Sequence, residues 1–344
     1  MARRVLITGI TGFAGSHLAE RLVGRGDEVH GIAHEPPPHP NLARVAGHVT
    51  IHGANVLEVG ETREAVARAQ PDVVFHLAGQ AVPTLASADP LAAIRINVVG
   101  TANVVAALPK GAHLVAASSA EVYGIPDDLP VGEDAPLHPT NVYAATKVAA
   151  EAVLRQGQNA RVTILRPCNQ IGPRQHERLA ASEFAKRIAE AEAGRVPPVI
   201  RHGQLDPQRE FVDVRDMAAA YDAASRMDAS GTFNVGSGTL TSIERILTSL
   251  CSLARVPIRT ELDPERVRAG VADVLLLDST RFRDRTGWAP AIPLDRSLSD
   301  TLDHWREQLL VGSSRPPGAQ TEGGKGPRGR APGPSEGSPR ARTT

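Results

Sequence analysis

Residues 8–16 read Thr-Gly-Ile-Thr-Gly-Phe-Ala-Gly-Ser, directly behind the apolar run Val5-Leu6-Ile7. A short apolar run, a glycine-punctuated turn and then Leu18, Leu22 and Val23 at helical spacing predict a strand, a tight turn and a helix opening at Ser16. Each glycine has its own task. Gly9 permits the sharp turn off the strand, Gly12 leaves no side chain in the way of a pyrophosphate, and Gly15 lets the helix lie close to the sheet. With Thr11, Phe13 and Ala14 they would form the wall of a dinucleotide site, where free N–H groups and the positive end of a helix dipole face the phosphates.

Strand-length apolar runs recur at 29–33, 49–52, 73–77, 113–118 and 161–165, with helical patterns between them, for example at 61–69 and 92–107. This alternation predicts an α/β fold of Rossmann type, a doubly wound parallel sheet. Beyond about residue 170 the pattern loosens into helical stretches at 182–194, 241–254 and 294–310. The expected organisation is a dinucleotide-binding domain over 1–170, joined by some later segments, and a smaller C-terminal substrate-binding lobe over 171–311. That lobe would cover the carboxyl edge of the sheet, where open α/β sheets bind ligands. Residues 312–344 hold no aromatic residue and six basic residues against two acidic, which predicts a disordered tail.

Composition narrows the partners. The 38 basic and 38 acidic residues cancel, so there is no electrostatic case for nucleic acid or an acidic membrane surface. Cys168 and Cys251 do not make a disulfide framework, and no metal-ligand spacing is present. No run of about 18 apolar residues stands out, and Met-Ala-Arg-Arg leads into the first strand without a secretory h-region. The expectation is a cytoplasmic protein without a membrane span.

Tyr143 and Lys147 lie four apart in the helical stretch 141–151, hence on one face. A neighbouring ammonium lowers a phenol's pKa, which would let Tyr143 exchange a proton near neutral pH. Upstream, Ser118-Ser-Ala-Glu-Val-Tyr-Gly124 follows the fifth strand, where a loop should reach the cofactor. The Ser119 hydroxyl there can hold a carbonyl or alcohol oxygen, and it can equally cap a turn.

Together with His76-Leu-Ala-Gly79, Asn97-Val-Val-Gly-Thr101 and Arg166-Pro-Cys-Asn-Gln-Ile-Gly-Pro173, these motifs make the chain resemble an extended short-chain dehydrogenase/reductase of the NAD-dependent epimerase/dehydratase group. The likeness covers nearly all of residues 3–310. It implies a catalytic triad of Ser119, Tyr143 and Lys147, with Glu121 a further catalytic candidate. Tyr143 would transfer the proton at a sugar oxygen, and Lys147 would bind the nicotinamide ribose. Leu77, Ala78, Gly79 and Asn97 would line the cofactor, with His34, Asn55 and Val56 beside its adenosine.

Residues 166–175, 182–190, 198–203, 209–216, 278–280 and 286–288 are similar to GDP-4-keto-6-deoxymannose reductases and their relatives, the GDP-mannose 4,6-dehydratases. That likeness implies a GDP-sugar substrate, with Asn169 on the diphosphate and Lys186, Arg209 and Arg268 neutralising phosphates. It also implies a homodimer that pairs the helices at 92–107 and from 143. Ala120 stands where dTDP-glucose dehydratases carry an acid, and Glu210-Phe-Val where GDP-mannose dehydratases tend to have Asp-Trp-Gly. Ala33 stands where NAD-dependent relatives often have an Asp for the ribose, which tilts the cofactor from NADH toward NADPH. Cys168 takes a place usually filled by Phe. The expected reaction is hydride transfer to C4 of a GDP-4-keto-6-deoxy-hexose, forming GDP-D-rhamnose. The alternatives are 4,6-dehydration, C4 epimerisation, or nucleotide sensing without turnover.

Overall fold

Val5, Leu6 and Ile7 are consecutive and all fully buried, so the first strand must be covered on both faces. The computed structural model, which describes residues 2–157, 160–267 and 274–313, shows how. In chain order the elements are β1 (Arg4–Thr8), α1 (Phe13–Gly24), β2 (Glu28–Ala33), β3 (Val49–Gly53), α2 (Val59–Ala69), β4 (Val73–His76), α3 (Pro83–Ala88), α4 (Pro90–Ile94), α5 (Gly100–Ala107), β5 (His113–Ala117), α6 (Val142–Leu154) and β6 (Arg161–Pro167). They continue with β7 (Asn169–Ile171), α7 (Ala180–Glu192), β8 (Val199–His202), β9 (Gln208–Asp213), α8 (Val214–Ala224), β10 (Gly231–Val235), β11 (Leu240–Ser242), α9 (Ile243–Ser252), β12 (Arg259–Leu262), β13 (Val274–Leu275), α10 (Thr280–Thr286) and α11 (Leu294–Ser313).

Seven strands form one parallel sheet in the order β10-β6-β5-β4-β1-β2-β3. Alternate residues go to opposite faces. Val5, Ile7, Val29, Phe75 and Val115 join Leu18 and Leu22 of α1 and Met217 and Tyr221 of α8. Leu6, Ile32, Val74, Leu114 and Ile164 join Ala65 and Val66 of α2, Val104 of α5 and Leu154 of α6. A separate cluster around Phe184, Ile188, Ile246, Leu250, Leu298 and Leu302 holds α7, α9 and α11 together. Beside it β7, β11 and β13 all pair with β9, and β12 pairs with β8.

The predicted α/β Rossmann-type sheet is present, with four differences of detail. Helix α1 starts at Phe13 rather than Ser16, because extended Gly12 already acts as its N-cap and receives the Ser16 N–H. A seventh strand, β10, returns to the sheet beside β6, and α8 packs on α1, so the chain after residue 171 contributes to both layers. The stretch expected as one helix over 92–107 is interrupted by a π-helical turn at Arg95–Val99.

The fourth difference concerns that same stretch. Pro90–Ala107 is 18 residues long and apolar enough to cross a membrane by length and composition alone, with 28% of it buried, which overturns the expectation that no such run exists. Ala, Val, Ile and Leu outweigh the single Arg95 in it. Its polar residues face inward: Asn97 bonds to Gln80, Thr101 to His76 and Asn103 to Val56. The expectations for Arg268 and for the tail beyond Ser313 lie outside the described residues.

Three of the four buried histidines among the described residues, His17, His76 and His113, are held by specific partners within this framework. His76 Nδ1 is 2.8 Å from Thr8 Oγ1 and its Nε2 2.9 Å from Thr101 Oγ1. His113 Nε2 is 2.8 Å from Thr163 Oγ1, and His17 Nε2 is 3.0 Å from Pro173 O. Burial, reinforced by Lys147, Arg161 and Arg174 respectively, lowers their pKa values to about 3, 4 and 4. Unfolded histidines hold protons below about pH 6.5, so between there and pH 4 the unfolded chain binds more protons than the folded one. Stability is therefore complete above about pH 6.5 and declines as pH falls toward 4. Thermal unfolding should show a flat Tm from pH 8 to about 6.5 and a steady fall below it, with a shallower slope for His113→Gln. A Tm unchanged down to pH 4.5 would contradict neutral burial.

Candidate active site

The connections out of β1 and β4 leave the sheet on opposite sides of its central gap, so the loops after these two strands face each other. Gly9 turns the chain at φ +70°, and a Cβ there would come within 2.8 Å of the Ala78 backbone. The two loops thus touch through a residue that has to be glycine. A Cβ on Gly15 would sit 2.2 Å from Gly9 O, which is the close approach expected of it. A Cβ on Gly12 would meet only Gly9 O, at 3.1 Å, so the space above it is open. No side chain caps α1, so its first N–H groups face that space. These residues fit a dinucleotide pyrophosphate.

The second loop is held from below. Thr8 Oγ1 accepts from Ala78 N at 3.2 Å. Asn97 Oδ1 accepts from Gln80 N at 2.8 Å, while its Nδ2 donates to Gln80 O at 3.1 Å and Thr146 Oγ1 at 2.8 Å. Asn97 therefore spends its side chain on tying the Leu77–Gly79 loop to α6. The π-helical turn is what turns this residue inward. On the adenosine side Asn55 Oδ1 accepts from Leu57 N at 3.0 Å, and buried Val56 packs on Gly100. His34 is two-thirds exposed and 3.4 Å from Glu35 Oε1. Glu35, which sequence reading passed over, also lies 3.5 Å from Thr11 Oγ1. It stands about 20 residues after the glycine turn, the spacing at which an acidic residue reads a ribose.

Ser119, Tyr143 and Lys147 come together at the end of β5. All three are buried. Ser119 caps the short turn that follows, accepting from Glu121 N at 3.2 Å, and its hydroxyl faces the Tyr143 phenol. Lys147 Nζ donates to Ala117 O at 2.8 Å and lies 5.9 Å from the centre of the Tyr143 ring. Glu121, held by Asn141 Nδ2 at 2.9 Å, faces the phenol as well.

The charge states differ from the expectation. Burial and the Glu121 carboxylate push the phenol's pKa up, against the Ser119 hydroxyl. The ammonium, spent on Ala117 O, does not lower it. Burial brings Lys147 itself down to about 8, with Glu151 opposing.

Glu151 belongs to a network that sequence reading missed. Its side chain and that of Arg166 are 0% and 2% exposed. Arg166 Nε and Nη2 donate to the two Glu151 oxygens at 2.8 and 2.7 Å, and Ser118 Oγ donates to Oε1 at 2.6 Å. Arg166 Nη1 also donates to Tyr123 OH and Glu133 O at 2.7 and 2.9 Å. The available signals were an arginine opening the 166–173 motif and a glutamate one helical turn beyond Lys147.

Among the substrate candidates, Asn169 is exposed on β7 opposite Phe211 of β9, and strand alternation puts Arg209 on that same face. Arg209 Nη1 donates to Gln208 O at 2.8 Å. Glu210, on the other face, is buried and accepts from Gly238 N at 2.6 Å and Leu277 N at 2.7 Å, so it fixes the strand that carries Arg209. Lys186 is drawn to the carboxylates of Glu177 and Glu190 and lies over Trp305.

Residues 5–236 match the model of the NAD dependent epimerase/dehydratase family. The chain is 32% identical over 322 residues to the GDP-6-deoxy-D-mannose reductase of Pseudomonas aeruginosa, covering 90% of this chain and 99% of that one. It is 31% identical to the UDP-glucose 4-epimerase of Mycolicibacterium smegmatis, covering 89% and 99%. Among solved structures, RMD from Pseudomonas aeruginosa complexed with NADPH aligns with a TM-score of 0.77 at 29% identity, over 89% of this chain and 100% of that one. The Thermus thermophilus UDP-glucose 4-epimerase complex with NAD aligns with the same TM-score at 27% identity, over 88% and 99%.

All three tyrosines of the chain, Tyr123, Tyr143 and Tyr221, are buried and have raised pKa values. An alkaline absorbance titration of the folded protein should therefore show no phenolate below about pH 10. One tyrosine titrating below pH 9 would restore the lowered Tyr143 expected from the sequence.

Proposed function

Because the chain belongs to the NAD dependent epimerase/dehydratase family, with an NAD(P)-dependent oxidoreductase acting on nucleotide sugars as its general activity, we propose that it reduces C4 of a GDP-4-keto-6-deoxy-hexose, forming GDP-D-rhamnose. The observation that carries this reading is the state of Tyr143. Its phenol is buried at the end of β5 with Ser119 facing it and Lys147 Nζ 5.9 Å from the ring centre, and burial and Glu121 push its pKa up, so it holds its proton at neutral pH. A reductase needs a proton donor at the keto oxygen, and this pair supplies one. Dehydratases of the dTDP-glucose type carry an acid beside the residue at Glu121, where Ala120 stands here.

In this reading Ser119 holds the substrate's keto oxygen and Tyr143 delivers the proton to it as the C4 hydroxyl forms. Lys147, charged below about pH 8, holds the cofactor ribose. A bound NADPH or NADH supplies the hydride. The neighbour that holds NADPH favours that cofactor, while the Glu35 carboxylate works against a 2′-phosphate, so we expect both to be accepted. Asn169 and Arg209 meet the diphosphate. A 4-epimerase is the second reading, supported by the 31% identity to the Mycolicibacterium smegmatis epimerase.

The deciding experiment follows absorbance at 340 nm with GDP-4-keto-6-deoxymannose and identifies the product by NMR. Reduction consumes one cofactor per sugar. Product formed without net loss of absorbance would select epimerisation or dehydration instead.

Arg209→Ala should raise KM for the GDP-sugar by about ten- to a hundredfold with little change in kcat, because a diphosphate contact is similar in ground and transition states. Its effect on cofactor affinity should be nil. The reverse pattern, weakened cofactor with unchanged substrate KM, would move Arg209 to the cofactor site.

We further propose a homodimer through α4, α5 and α6. Leu91, Ile94 and Val99 are 74%, 44% and 45% exposed on one apolar helix, more than a solvated surface ordinarily carries. Light scattering at micromolar concentration should give twice the chain mass, and Leu91→Glu with Ile94→Glu should give the single mass. A monomeric parent protein would end the proposal.

A further inference from the structure

Among the described residues only Gln70 and Arg174 combine a side chain with positive φ. Gln70 is the C-cap of α2, a common place for a left-handed residue. Arg174, at φ +73°, is in the loop between β7 and α7, where no helix cap calls for it. Such a backbone persists when surrounding bonds over-determine it.

Here the bonds converge on the guanidinium, which is 11% exposed. Nη1 and Nη2 donate to the two oxygens of Glu20 at 2.9 and 3.0 Å. Nη1 also donates to Asn41 O at 2.7 Å, and Nη2 to His17 Nδ1 at 2.8 Å. His17 Nε2 lies 3.0 Å from Pro173 O and 3.2 Å from Arg174 Nε, so the ring is held between the Pro173 carbonyl and the guanidinium. Asn41 extends the path. Its Nδ2 donates to Thr11 O at 2.8 Å, inside the glycine turn. A side chain rooted five residues after Asn169 thus grips α1 twice and reaches the phosphate-facing turn through one intermediary. Asn41 lies in the stretch after β2, which borders the adenosine ribose in sheets of this topology.

We propose that Arg174 is a positioning residue for the adenosine half of the dinucleotide, fixing Asn41 and the Thr11 carbonyl from the side of the substrate lobe. It touches neither cofactor nor substrate. The strained backbone is retained because it aims the guanidinium at α1 and Asn41 together. The proposal rests on the dinucleotide site and not on the identity of the sugar.

Two variants separate this from a purely structural role. Arg174→Gly relaxes the left-handed backbone while deleting the guanidinium, and Asn41→Ala cuts only the last link. The full chain is titrated calorimetrically, with no sugar present, with whichever of NADPH and NADH binds the parent protein more tightly. It is then titrated with the matching adenosine half, 2′-phospho-ADP-ribose or ADP-ribose. Both variants should weaken both ligands by a similar factor, about five- to twentyfold. Parent-like affinities, with or without a lower Tm, would overturn the assignment. So would a loss confined to the whole dinucleotide with its adenosine half unaffected. If Arg174→Gly does not fold, the two affinities of Asn41→Ala decide by the same criteria.

Discussion

A carboxylate and a guanidinium shut away from water have to neutralise each other, and Glu151 and Arg166 do so beneath the site. Removing one member of such a pair typically costs about 3–5 kcal/mol, because the other charge is stranded. The pair also sets positions. Glu151 lies on α6 one turn past Lys147, and its carboxylate takes the hydroxyl of Ser118, the residue before Ser119. Arg166, on β6, reaches Tyr123 and the Glu133 carbonyl, and Tyr123 donates to Asn234 on β10. One ion pair thereby registers the strand that ends in the serine, the helix that carries tyrosine and lysine, and the edge strand that arrives last in the chain.

The same pair shapes the electrostatics. Lys147 is buried enough to lose its proton near pH 8, and the Glu151 charge is what holds it that high. Tyr143 feels the opposite influence from Glu121 and keeps its proton. Two carboxylates thus bracket the pair, one favouring the ammonium and one disfavouring the phenolate. The resting state is a neutral acid beside a cation, which suits donation of a proton better than its abstraction.

Much of this was legible in the sequence, and the reason is locality. Gly9, Gly12 and Gly15 act within one turn, Tyr143 and Lys147 within one helical turn, and the apolar runs of the first six strands are consecutive residues. What escaped depends on partners far apart. Arg166 reads as the start of a motif until Glu151 is seen beside it. Glu35 reads as the head of a proline-rich loop until it meets Thr11. The strand β10 offers only Phe233 and Val235 as apolar signals, and its place is decided by β6. The charge state of Tyr143 escapes for the same reason, since spacing shows Lys147 nearby but neither the burial of the phenol nor the Glu121 carboxylate that faces it.

The π-helical turn at Arg95–Val99 carries one residue more than an α-helix of the same length would hold. Each residue turns a helix by about 100°, so that single extra residue sets how the faces of α4 and α5 are phased. With it, Asn97 faces the cofactor loop and α6 while Leu91 and Ile94 face outward. A one-residue deletion would close the wide turn into ordinary helical winding and remove the bulge that carries Asn97 to Gln80 and Thr146. The support of the cofactor loop and the exposed apolar face are in this sense written in one reading frame along a single stretch of chain, and neither can be re-registered alone.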